Sequence, residues 1–361
     1  MYKKIAALAM SVVLMLSMAA CSAQNSSDAP GSDTSSAESI SVPESVSAPE
    51  EEAAFPVTVK DAAGREVTIE EEPEKLVSGY YITTSMVIAL GQQDKLVGVE
   101  AKADSRPIYS LAAPELLELP SVGTAKEFDL EGCAALEPDL VVLPLKLKDT
   151  VSALEELGIP VLLANPEDLT LLRQTIEMLG AATGAQEQAD ALLAYNQQTE
   201  DDLKALLDGV QRPTVYLAGN SSYLSTAGAK MYQNTLIELG GGDNVAAELE
   251  DDYWAEVSYE QLLAWNPQVI VIVPEASYTK DDLMNDPQLA QLDAVKNGQV
   301  YQMPSSFEAW DSPVPSAMLG SRWMAAVLHE DVYSFETFCN DAEAFYSQFY
   351  GIEIDTSLLT K

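Results

Sequence analysis

The chain has 361 residues, with 57 acidic against 19 basic side chains and a formal net charge of −38. That balance excludes nucleic acid as a partner, and it excludes charge-driven binding to an anionic lipid surface, because the long-range field repels both. A single histidine, His329, leaves little material for an imidazole-rich zinc or manganese site or for a Ser/His/Asp mechanism.

Lys3 and Lys4 precede an apolar run from Ile5 to Ala20. The run is too short for an ordinary membrane span and reads as an export signal over residues 1–21. It ends at Met18-Ala19-Ala20-Cys21. This resembles a bacterial lipobox, with Met18 where leucine is usual, and the resemblance implies a lipid on Cys21. Residues 22–54 hold seven acids, no base and almost nothing to bury. Such a segment cannot offset its ordering entropy, so a disordered acidic tether is expected. It would reach roughly 30 Å as a coil and about 110 Å when stretched.

The body begins at Phe55. Val57–Val59 and Val67–Ile69 alternate about a turn at 61–66, which predicts a hairpin. Strands are expected at Leu76–Ser78, Leu96–Val99, Asp139–Leu143 and Val161–Ala164, with helices near Thr83–Leu90 and Thr150–Leu157. Residues 184–208 run without proline or internal glycine between Gly184 and Gly209 and predict a helix about 37 Å long. The alternation resumes with strands at Thr214–Ala218, Val269–Val273 and Val300–Met303. Helices are expected at Met231–Leu239, Val314–Leu328 and Ser334–Tyr350. Short apolar strands between helices indicate a covered, mostly parallel sheet.

One phrase occurs twice. DLEGCAALEPDLVVLP at 129–144 and SYEQLLAWNPQVIVIVP at 258–274 each carry a glutamate, a proline seven positions on, an apolar run and a second proline. Glu131 and Pro138 match Glu260 and Pro267 at an offset of 129 residues, about one small domain. The expected fold is therefore α/β: two Rossmann-like lobes with mostly parallel sheets, joined by one long bridging helix. The expected domains are 55–183, the bridge at 184–208, and 209–361. Asp129 and Ser258 are suited to cap the two repeat helices, which puts Glu131 and Glu260 in first turns where a carboxylate favours the helix dipole. Cys133 and Cys339 read as free thiols.

The landmarks VKDAAGREVTI, LVGVEAKADSRP, VGTAKEFDLEGCAALEPDLVVLP, LGIPVLL, LGGGDNV, VSYEQLLAWNPQVIVIV and AWDSPVPSAMLG stand in one order over about residues 55–350. In that order the chain resembles the substrate-binding lipoproteins of ABC importers for ferric siderophores and cobalamin. The resemblance implies a non-catalytic, lipid-anchored monomer on the extracytoplasmic face of the cell membrane. Its partners would be a permease and its ATPase, and its cargo a metal chelate, foremost a ferric siderophore. It needs no cofactor and no resident metal. The resemblance also implies that Glu131 and Glu260 dock onto permease arginines, one per lobe.

Ligands of such α/β lobes lie at the carboxyl ends of strands. The loops there place Tyr80, Tyr81, Lys102, Arg106, Lys126 and Lys146 in the first lobe as candidate ligand contacts. Tyr223, Trp254 and Trp310 are the candidates in the second. Aromatic and cationic groups suit a bulky anionic chelate. Trp265 and Trp323 read as core. Trp310-Asp311-Ser312-Pro313-Val314 departs from the family, which often has a base after Ser-Pro, and so removes one anion contact. Cobalamin, haem or an oxyanion such as molybdate are the alternative cargoes. A cell-surface hydrolase is the alternative of another class, opposed by the lone histidine and the lack of a G-x-S-x-G elbow.

Overall fold

The computed structural model describes residues 55–251 and 253–361. The export signal, Cys21 and the acidic tether at 22–54 lie outside the described residues. The described chain opens with an antiparallel hairpin of β1 (Val57–Lys60) and β2 (Glu66–Ile69). Asp61 builds its turn by accepting from the backbone N–H groups of Ala63 and Arg65, at 2.9 and 3.0 Å.

The first sheet follows in the order β3 (Leu76–Ser78), α1 (Tyr81–Ala89), β4 (Leu96–Gly98), α2 (Pro107–Ala112), α3 (Leu130–Ala135), β5 (Leu140–Pro144), α4 (Val151–Glu155), β6 (Val161–Ala164) and α5 (Leu169–Thr183). Its strands lie in the order β4-β3-β5-β6, all parallel. After α6 (Gln186–Leu206) come β7 (Thr214–Ala218), β8 (Ser225–Thr226), α7 (Tyr232–Leu239), β9 (Asp243–Asn244), β10 (Ala255–Glu256), α8 (Tyr259–Trp265) and β11 (Val269–Ile272). The chain ends with α9 (Lys280–Met284), α10 (Asp293–Lys296), β12 (Val300–Gln302), α11 (Ala317–Leu328) and α12 (Phe335–Tyr350). The second sheet is β12-β11-β7-β9, also parallel, and β8 and β10 form a small antiparallel pair.

Counted within its own lobe, each sheet runs second-first-third-fourth. The repeated phrase is therefore the helix and third strand of each lobe: α3 with β5, and α8 with β11. The match extends to backbone detail. The residue before each repeat proline sits in the left-handed region, Glu137 at φ 49° and Asn266 at φ 43°. The runs LVVLP, VLLA and VIVI are buried on both faces, as parallel strands under helices must be. Each such aliphatic side chain contributes roughly 1.5–3 kcal/mol.

The bridge is the single helix expected over 184–208, shorter by two residues at each end. It spans Gln186–Leu206 and is preceded by α5, a 15-residue helix that the sequence reading passed over. Gly184 at φ 76° turns the chain between them. The two helices meet at Gly180, where an added methyl would sit 2.3 Å from the Ala189 Cβ. An ion pair of 2.5 Å from Arg173 to Glu200 fastens the far end. On its other side α6 is held to the second lobe through Arg322, which donates to Thr199 (3.2 Å) and Asp341 (2.8 Å).

Candidate functional site

The two sheets present their carboxyl edges to one small cavity of about 20 Å³, lined by Tyr81, Arg106 and Tyr109 from the first lobe and Glu275, Phe307 and Glu308 from the second. That volume has room for about one water. Larger grooves, of about 790 and 580 Å³, run along the β1–β2 hairpin away from the strand ends. The cavity lies where α/β sheets of this topology place ligands, outside the carboxyl ends of the strands.

Its floor is α1. Ser78 ends β3, and its hydroxyl lies 2.8 Å from that of Thr83 and 2.7 Å from that of Thr84. Two consecutive hydroxyls of α1 then reach two buried carboxylates. Thr84 donates to Glu100 at 2.6 Å, and Tyr109 donates to the same group at 2.8 Å. Ser85 donates across the lobes to Glu308, which also accepts from Ser316 at 2.5 Å and Tyr350 at 2.9 Å. Neither carboxylate has a cation in contact, and burial raises both above the usual carboxylate range.

The wall of the first lobe is aromatic and cationic. Tyr80 and Tyr81 meet edge to face at 5.3 Å, and the Arg106 guanidinium lies 4.1 Å above the Tyr81 ring. Burial raises both phenols, with Ser312 of the second lobe and Arg106 drawing Tyr81 part of the way back. The wall of the second lobe is acidic. Burial, then the charge of Glu275, push the Asp311 carboxyl up to about 7. Glu275 follows β11 and Pro274 with φ 57°, an unusual conformation for a glutamate.

The sequence candidates divide. Tyr81 and Arg106 line the cavity, and Tyr80 lies against Tyr81 without lining it. Trp254 is half-buried and lies over Gly219, where a Cβ would be 2.8 Å from the indole, so the strand end needs glycine there. Trp310 is a correction: it is 1% exposed, donates to the Tyr346 hydroxyl at 3.1 Å and packs edge-on against Phe338. It is core because α11 and α12 close over it. Tyr223 is also drawn away, since its hydroxyl donates to Asp286 at 2.7 Å beside Tyr259. Lys102, Lys126 and Lys146 are exposed, and none lines the cavity. Trp265 is half-buried and donates to Glu248, whereas Trp323 is core. Cys133 and Cys339 are free.

Glu131 and Glu260 are exposed at the second position of α3 and α8. The caps are alike: Asp129 accepts from Gly132 N at 2.9 Å and Ser258 from Gln261 N at 3.1 Å. The sequence reading missed Ser85, Glu100, Tyr109, Glu275 and Glu308. The one signal for Glu308 is an acid inside the aromatic stretch Phe307–Trp310. His329 is buried with its ring nitrogen 3.0 Å from the Gly241 carbonyl oxygen, which removes the only imidazole from the cavity.

Residues 76–307 match the family model for periplasmic binding proteins. The chain belongs to the periplasmic binding protein family. Among its relatives, the molybdate-binding protein MolA of Haemophilus influenzae is 26% identical over 319 residues, 81% of this chain and 90% of that protein. An ABC transporter substrate-binding lipoprotein of Bacillus subtilis, YvrC, is 28% identical over 69% of this chain and 78% of its own length. The crystal structure of a periplasmic solute-binding protein from Veillonella parvula superposes with a TM-score of 0.75 at 26% identity, covering 84% of this chain and 95% of that one. MolA with bound molybdate superposes at 0.73, with 24% identity over 83% and 99%. For this periplasmic binding protein the two-lobed fold is therefore shared with these relatives.

Proposed function

We propose that this periplasmic binding protein is the extracytoplasmic substrate-binding component of an ABC importer. It acts as a monomer held to the membrane by a lipid on Cys21, and it is not an enzyme. Its cargo is an organic metal chelate, of which ferric siderophores and corrinoids are the leading members. The observation that supports a chelate is the pairing of Tyr80, Tyr81 and Arg106 on one wall with acids on the other. Rings and a stacked guanidinium suit a broad, oxygen-rich complex. A bare transition metal is less well served, because the lone imidazole is buried elsewhere. The water-sized cavity means that a chelate enters only as the lobes part. Glu131 and Glu260, presented alike by capped helices, are the acids that meet the permease, with its ATPase behind.

A second reading is a compact oxyanion. The small cavity and the likeness to a molybdate-binding protein favour it. Against it, Arg106 is the only cationic group lining the cavity, beside Glu275 and Glu308.

Calorimetric titration of the purified protein with ferric hydroxamates, ferric catecholates, cobalamin, haemin and molybdate tests the reading. Saturable binding of at least one chelate, with molybdate weaker, is expected. Binding of molybdate alone, or of nothing in the panel, refutes the chelate.

A further inference from the structure

The two repeat helices start alike and end differently. On the first lobe an open groove of about 660 Å³ runs from Glu131 along α3 to the turn after α4. It is lined by the apolar Leu130, Ala134, Leu157 and Ile159 and by the exposed acids Glu131 and Glu137. Leu157 is 60% exposed, a large aliphatic side chain left in water. Among the described residues no backbone hydrogen bond joins 134–138 to 155–159.

The second lobe bridges the same place. Asn266 stands where the first lobe has Glu137, and Asn297 precedes Gly298 as Leu157 precedes Gly158. The Asn266 side-chain oxygen accepts from the Asp293 N–H at 2.9 Å, and the Pro267 carbonyl accepts from the Ala294 N–H at 3.2 Å. Helix α10 is thereby drawn onto the turn after α8.

Glu137 is also strained. Its φ of 49° is a left-handed conformation that asparagine adopts far more readily than glutamate. Asn266 turns the same conformation to an internal hydrogen bond. The Glu137 carboxylate makes no hydrogen bond or ion pair among the described residues. The strain serves no internal contact, and it keeps a second acid on the groove that Glu131 lines.

Charge decides what can lie there. The chain carries a net −38, and residues 22–54 hold seven acids and no base, so a second copy and the chain's own N-terminal segment are both repelled. The segment that fits has an apolar side chain next to an arginine or lysine. Resting on the docking reading above, we propose that the groove takes such a segment of the permease. The bridged second lobe does not, so the receptor docks in one orientation although its two acids are related by the repeat.

The test titrates the full-length protein onto the importer of its own cell, co-reconstituted in phosphatidylcholine vesicles, with stimulated ATP hydrolysis as readout. Leu157→Asn and Glu137→Asn should each raise the half-saturating concentration about fivefold to tenfold, and Asn297→Leu should change it less than about twofold. Glu137→Asn should meanwhile melt at a higher temperature, because the strain is relieved. A purely structural role would not combine higher stability with weaker docking. Benzoylphenylalanine at position 157 should crosslink to a permease peptide with a basic residue beside an apolar one. A crosslink to a second copy, to residues 22–54 or to no part of the permease overturns the proposal. If Glu131→Lys with Glu260→Lys leaves stimulation intact, the docking reading fails and the proposal with it. If that double variant abolishes stimulation while Leu157→Asn and Glu137→Asn change nothing, the proposal alone fails.

Discussion

Asp311→Asn removes a charge and keeps the shape, so it isolates what that carboxylate does to the ligand-free protein. Burial first, then Glu275, raise its carboxyl from an ordinary 3.8 to about 7. The native state therefore holds a proton over a range in which the unfolded chain has released it. The stability tied to the neutral acid is complete below 3.8 and is lost as pH rises through about 7. At about 1.4 kcal/mol per pH unit of separation, the ceiling is about 4 kcal/mol. The side chain is partly exposed, and screening by water reduces the expectation to about 1–2 kcal/mol. Urea unfolding of both proteins at pH 5, 6, 7 and 8 provides the measurement. Asparagine should be more stable than aspartate by that amount at pH 8, and the gap should close toward pH 5. Glu100 and Glu308 are raised in the same direction, but they occur in both proteins and cancel in the difference. A gap that does not change with pH, or an asparagine variant less stable at pH 8, would show that Asp311 is solvated or paired, and the acidic wall would lose its meaning.

Gly180→Ala should cost about 1–3 kcal/mol despite alanine's better helix propensity, because its methyl would sit 2.3 Å from Ala189. The double variant Gly180→Ala with Ala189→Gly should recover most of that loss in urea midpoints; purely additive losses would mean the helices do not meet there. Trp310→Ala should lower stability by about 3–5 kcal/mol, as removal of a packed core indole does. Calorimetry of the folded fraction should show ligand affinity moving far less, and the reverse pattern would return Trp310 to the cleft. Reversal of charge at both Glu131 and Glu260, to lysine, should abolish uptake by cells at unchanged ligand affinity; normal uptake by the double variant would refute docking through these residues.

The repeat was the most informative stretch of the sequence because helix start, proline and buried strand all depend on local chemistry. Asp129 and Ser258 are good caps in any context, and β5 and β11 are apolar runs that no exposed strand would tolerate. Helix α5 went unread because its polar face and its apolar face are both short of breakers and it runs nearly into α6, with only Gly184 and Ala185 between. The aromatic wall was readable from strand ends. The acid wall was not, since Glu308 and Glu275 come from loops that only the second lobe's folding brings opposite Arg106. Trp310 misled for a related reason. It does follow a strand, but whether a side chain after a strand turns to the cleft or to the core depends on α11 and α12, which are distant in sequence from that strand's partners.

The lobes are tied twice, and this limits how the receptor can discriminate. One tie is α6. The other is the node at Glu308, where Ser85 of the first lobe and Tyr350 of α12 share one buried carboxylate, and Ser85 also lies 3.2 Å from Tyr350. Wide opening would strip a donor from a carboxylate that has no cation in contact, at a cost of about 1–3 kcal/mol. A ligand that forces the lobes far apart must supply that energy from its own contacts. Glu131 and Glu260 are each fixed to a capped helix. Docking through these two acids would rely on their rigid mounting. That requires the caps: Asp129→Ala or Ser258→Ala, which should cost about 1 kcal/mol of stability each, should impair uptake more than that loss alone accounts for.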